Sequence, residues 1–190
     1  MTGKTHQSIG LLAVSSYFLT QTKIEYAPAT LGAVLIGSYI GSLLPDIDQP
    51  AGKLWMDIPL FGKTLGRLSD PFLEHRNITH SIIGFVLVGI GIYNLTNAFP
   101  AYWGINQILL FVSFMIAYAS HLAADMFTEQ GIPLLYPYHR SFGIPPKPFE
   151  KVRIMTGKWF ENLIIFPIVN IATIAIIVIN WDKIKLIIFK

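Results

Sequence analysis

Four stretches of about 20 residues, none carrying a Lys, Arg, Asp or Glu, decide most of what this chain can become. They are residues 27–44 (APATLGAVLIGSYIGSLL), 82–99 (IIGFVLVGIGIYNLTNAF), 105–124 (INQILLFVSFMIAYASHLAA) and 163–181 (LIIFPIVNIATIAIIVINW). As helices rising about 1.5 Å per residue, such runs match a hydrocarbon layer about 30 Å thick. Lipid offers no partner to a backbone N–H or C=O, so a helix, which bonds its own backbone, is the expected form. A shorter and weaker fifth run covers residues 7–21. Composition agrees: 53% of residues are apolar, 13% are charged and the mean hydropathy is +0.53. Soluble domains carry about 25% charged residues. The expected fold is an all-α integral membrane bundle of four to five transmembrane helices, one domain over residues 1–190.

The connections set the topology. Residues 45–80 and 125–160 are long and hold most of the charge; TKIEYAP and PAYWG are short. With five spans, the N-terminus and both long connections share one face. That face carries Lys4, Lys53, Lys63, Arg67, Arg76, Arg140, Lys147, Lys151, Arg153 and Lys158, against Lys23, Lys183, Lys185 and Lys190 on the other. The bias places the long connections in the cytoplasm of a cell-membrane protein. Their mixed aromatic and basic residues suit the headgroup layer. The N-terminal run resembles a signal peptide but is expected to be retained, because SSY interrupts it and no A-x-A site follows. Small residues at near four-residue spacing, Gly32, Gly37 and Gly41, then Gly84, Gly89 and Gly91, are expected to pack helices closely. Pro167 is expected to kink the last span.

The chemistry gathers on the same face. All five histidines lie there, His6, His75, His80, His121 and His139, with every acid except Glu25 and Asp182. His6 opens the first run, Asp46 and Asp48 end the second, His75 and His80 precede the third, and His121 and Asp125 end the fourth. HLAAD sets His121 and Asp125 at i and i+4, on one helix face. PDID sets two carboxylates at alternate positions, which both turn inward only on an irregular backbone or around two ions. HRNITHS spaces His75 and His80 too far apart for one helix face unless the helix starts near Thr79. With no cysteine, the donors are imidazole and carboxylate, which suit zinc, manganese or iron. Seven candidate ligands, His6, Asp46, Asp48, His75, His80, His121 and Asp125, exceed one tetrahedral ion and favour two, roughly 3.5–4 Å apart. Each member also has an ordinary reading: an interfacial histidine, a turn aspartate after Pro45, a hydrogen-bonded pair on one helix. His139, Arg140, Tyr136 and Tyr138 suit an aromatic, basic surface loop equally well.

The N-terminal TH, LLPDIDQP, HRNITHS and SHLAADMFTEQGIPLLYPY, taken in order from Thr5 to Tyr138, resemble the YdjM-like family of inner-membrane-associated metal-dependent hydrolases. That family is distantly similar to zinc-dependent phospholipases C and the nucleases related to them, which are all-helical. The resemblance implies metal ligation by His6, Asp46, His80, His121 and Asp125. Asp48, His75 and Arg76 match the family motif without counterparts in those distant relatives. The function expected is hydrolysis of a phosphoester in a lipid or lipid-linked substrate, through one or two divalent ions, most simply zinc. Asp46 or Asp48 would handle the attacking water and Arg76 the phosphate charge. The alternative is a divalent-metal carrier or sensor, or a regulatory membrane protein with a metal site. No nucleic acid partner is expected.

Overall fold

The computed structural model describes residues 1–20, 27–49, 53–57, 78–99 and 104–189. The chain is all-helical, as its apolar runs require. Among the described residues its longer helices are α1 (Gly3–Thr20), α2 (Pro28–Leu43), α3 (Ile82–Asn97), α4 (Gln107–Met126), α5 (Phe166–Ile179) and α6 (Trp181–Ile188). Among the described residues, three helical stretches are long and apolar enough to cross a membrane: Pro28–Asp48, Gln107–Met126 and Glu161–Ile179. Helix α3 is apolar but has 16 residues. Helix α1 has 18 residues and is more polar.

Helix ends follow local chemistry. Pro28 starts α2, where its missing N–H costs nothing. The Ser81 hydroxyl accepts from Gly84 N at 3.1 Å and caps α3. The Asn106 side chain accepts from Leu109 N at 3.0 Å and caps α4. At the last span, five residues of π-helix (Glu161–Ile165) lead into α5. Pro167 has no N–H to offer the preceding turn, so the break expected there takes the form of this widened turn at the start of α5.

Helices α1, α2 and α4 pack around Val14, Phe18, Val34, Leu109 and Ala117. Gly37 lies against Leu110 and Ser113, and a Cβ on Gly41 would overlap the Phe114 carbonyl, so α2 and α4 approach to backbone contact. Gly32 and Gly91 face open space, so the small-residue pattern overstated the packing at those two positions. The outer side of α5 presents Ile168, Ile171, Ile174 and Val178, each at least 60% exposed, a surface suited to lipid.

The second long connection is built on Arg153. Its Nε donates to the Pro145 carbonyl at 2.8 Å and its Nη2 to the Gly143 carbonyl at 3.2 Å. Isolated bridges join Thr128 to Ile154 and Ile132 to Phe142. Arg153, counted from sequence among the basic residues of this face, is a buried organiser of this loop. Of the first long connection, the described parts are a 3-10 turn (Leu44–Asp48), a short helix (Lys53–Met56) and a second 3-10 turn (Ile78–His80). His75 and Arg76 lie outside the described residues.

Candidate metal centre

Five of the seven expected ligands meet in one buried volume. His6 comes from the first turns of α1, Asp46 from the 3-10 turn after α2, His80 from the turn before α3, and His121 and Asp125 from the last turns of α4. His6, His80, His121 and Asp125 are all 0% exposed. Two triplets of donor atoms converge, His6 with Asp46 and His121, and His80 with His121 and Asp125.

The spacings separate hydrogen bonding from shared coordination. His80 Nε2 stands 3.6 Å from Asp46 Oδ1 and 3.8 Å from Asp125 Oδ2. His121 Nε2 stands 3.7 Å from Asp46 Oδ1 and 3.9 Å from Asp125 Oδ2. Protein N–H···O bonds span about 2.7–3.2 Å. Two ligands on one tetrahedral zinc, each about 2.1 Å from it, stand roughly 3.4 Å apart. The four separations therefore sit nearer to shared coordination than to hydrogen bonding. His6 Nε2 is closer, 3.1 Å from Asp125 Oδ1, which also contacts the Met1 nitrogen.

The far side of each ring shows which nitrogen faces the centre. His121 Nδ1 donates to the Ser42 carbonyl at 2.7 Å, leaving a lone pair on Nε2. His80 Nδ1 lies 3.2 Å from the Thr79 hydroxyl, which donates its one proton to Asp48 Oδ2 at 3.1 Å. That hydroxyl must therefore accept from His80 Nδ1–H, and His80 also turns an Nε2 lone pair inward. Tyr118 Oη holds the same turn by donating to the Thr79 carbonyl at 2.6 Å. The His6 ring stacks on His121 at 3.6 Å between centroids and 11° between planes.

Asp48 takes a different place from the one expected of a ligand. Asp46 has φ −84° and ψ 16° within the 3-10 turn, and this irregular step sends the two carboxylates apart. Asp46 enters the cluster, whereas Asp48, 2% exposed, sits one layer out on Thr79. His139 is exposed, edge-on to Tyr136 at 5.6 Å between ring centroids. The supporting groups Ser42, Thr79 and Tyr118 were missed from sequence. Thr79 alone had a signal, lying between Asn77 and His80 in a ligand motif.

The site can hold a divalent cation. Two buried carboxylates, Asp46 and Asp125, have the Met1 nitrogen as their one fixed positive partner among the described residues, which leaves negative charge that such an ion would balance. Both triplets use His121, whose Nδ1 is occupied, so its single Nε2 serves one ion at a time.

The model of the YdjM inner membrane protein family matches residues 1–184. The chain belongs to this family. It is 28% identical over 167 residues to the protein YvsG of Bacillus subtilis (strain 168), covering 87% of this chain and 88% of that one. It is 33% identical over 103 residues to the inner membrane protein YdjM of Escherichia coli (strain K12), covering 54% of this chain and 48% of that one. The Shigella flexneri YdjM matches to the same extent. The chain thus spans about half the length of the two YdjM proteins named. No solved structure matches the chain. Membership of the YdjM family and the apolar helices together make this a membrane protein.

Proposed function

We propose that this chain is a membrane-bound, metal-dependent phosphoester hydrolase acting on a lipid or lipid-linked phosphate. The observation that carries the reading is the inward-facing His121 Nε2, fixed by Ser42 and spaced from Asp46 and Asp125 for shared coordination. The shared His121 Nε2 favours a single ion, most simply zinc, with its ligands drawn from His6, Asp46, His80, His121 and Asp125. Such an ion would supply Lewis acidity, polarising a phosphoryl oxygen and acidifying water.

The protein's own residues divide the remaining work. The Asp46 side chain is 12% exposed, while the His6, His80, His121 and Asp125 side chains are at most 1% exposed. Asp46 thus borders the mouth and is the group placed to take a proton from an entering water. Asp48 acts behind His80, holding its tautomer through Thr79. Arg76 keeps its assignment to the phosphate on sequence grounds. The excess of Lys and Arg on the motif-bearing connections supports a cytoplasmic site.

One observation favours a second reading. Nearly complete enclosure of the donors is typical of closed, structural metal sites, so the chain could hold its ion without turnover. Elemental analysis and phosphodiesterase assays on detergent-purified protein separate the two. About one zinc per chain, with turnover lost in Asp46→Asn, supports the hydrolase. Stoichiometric metal without turnover supports the second reading. Folded wild-type protein that takes up no metal overturns both.

A further inference from the structure

We infer that Glu161 is a positioning residue for the metal centre, acting on His6 through the first turn of α1. The inference rests on the metal-centre reading above. Glu161 opens the last membrane span, yet it is 0% exposed. Its Oε1 accepts from Thr2 N at 2.7 Å and from the Thr2 hydroxyl at 2.7 Å. Its Oε2 accepts from Gly157 N at 2.7 Å. Burying a carboxylate is costly unless several donors meet it, and here three do.

Thr2 immediately precedes α1. Its carbonyl accepts from Thr5 N at 2.9 Å and His6 N at 3.1 Å, and its hydroxyl lies 2.9 Å from that of Thr5. The Glu161 carboxylate therefore grips the peptide from which the His6 backbone hangs. This matters because His6 is held differently from its neighbours. His121 has the Ser42 carbonyl behind its ring and His80 has Thr79. His6 Nδ1 is buried with no hydrogen-bond partner among the described residues. Its ring orientation depends on the Nε2 contact with Asp125, on stacking against His121 and on where its backbone is placed. A fixed backbone here does the work that a hydrogen bond to the ring does elsewhere.

Two local devices bring Glu161 to this position. The π-turn Glu161–Ile165 directs Glu161 inward while Leu163 remains 68% exposed. Gly157, with φ +74°, adopts the left-handed conformation in which its N–H meets Oε2.

The test uses full-length protein in detergent with zinc and cobalt as probes. Dissociation constants are read by competition with a chelator, and ligand geometry by the visible d–d spectrum of the cobalt form. Glu161→Gln keeps the side-chain size but removes the charge and turns one acceptor into a donor. It is expected to weaken zinc binding about 10-fold to 100-fold, the usual cost of losing support behind a ligand, and to shift the cobalt bands. Glu161→Asp restores part of the loss. In a His6→Ala background, Glu161→Gln has no further effect. Should Glu161→Gln fail to fold, Thr2→Ala removes one donor only and is expected to weaken zinc binding about 3-fold, in proportion to that smaller change. Wild-type affinity and spectrum in the folded Glu161 or Thr2 variants overturn the inference while leaving the metal centre standing. Wild-type protein that binds neither ion overturns both.

Discussion

Two membrane spans, Gln107–Met126 and Glu161–Ile179, are almost the same length and equally free of charge along their apolar runs. They do opposite things. The first, α4, lies in the middle of the bundle, backs onto α2 at Gly37 and Gly41, and ends in His121 and Asp125. The second turns a column of isoleucines outward, and the carboxylate at its head holds Thr2, ahead of the turn that carries His6. Hydropathy identifies both as spans and says nothing of which one carries chemistry. Polar residues at helical spacing do that for α4. In the last span, one acid just before the apolar run is the whole signal.

The largest effect expected from this contrast is at the ligands. His121→Ala should abolish stoichiometric zinc and the rise in melting temperature on adding zinc. Ile174→Ala, on the lipid side of α5, should leave both unchanged and stability within about 0.5 kcal/mol. Differential scanning fluorimetry with and without zinc checks the pair. A zinc-dependent melting temperature that survives in His121→Ala would erase the contrast.

A second pair sharpens it at the level of packing. Gly41→Leu forces a side chain into the α4 backbone and should destabilise by about 1–3 kcal/mol. Gly91→Leu enters open space on α3 and should be close to neutral. Chemical denaturation in mixed micelles measures both. Equal losses would mean that α2 and α4 are not in backbone contact.

The smallest effect lies at the edge of the site face. Asp57 receives hydrogen bonds from Lys53 Nζ at 2.8 Å and from the Tyr39 hydroxyl. Burial raises its pKa, but those two donors outweigh it and hold the carboxyl below its ordinary range. Its folded pKa is depressed, so its contribution is present above the ordinary carboxylate value and fades as pH falls through the lowered one. The pair is about one-third exposed, at 32% on each side, so the contribution is about 0.5 kcal/mol. Asp57→Asn should lose that amount at neutral pH and nothing at strongly acidic pH, read from melting temperatures across a pH series.

Much of the buried His/Asp cluster was legible because residues of these types stand out at helix ends. His6, Asp46, His80, His121 and Asp125 could be assembled from their motifs without coordinates. Asp48 could not be separated from Asp46, because spacing of two residues fixes direction only on a regular backbone, and the 3-10 turn is irregular there. Arg153 looked like one more basic residue of a surface loop; its burial depends on carbonyls that only the folded loop brings together. Gly32 and Gly91 show the limit of a small-residue pattern, which marks where helices can approach and not where they do. His75 and Arg76 stand on their motif alone.

The clamp between Thr2 and Glu161 spans 159 residues of sequence. It sets an order of events during biosynthesis. Ribosomes add roughly 5–20 residues per second, so Glu161 emerges about 8–30 s after Thr2. Throughout that interval the first turn of α1 waits for the carboxylate that will fix it. The centre is therefore completed last, when the final span inserts, and a chain truncated before that span would carry every proposed metal ligand without the group that holds the first of them in place.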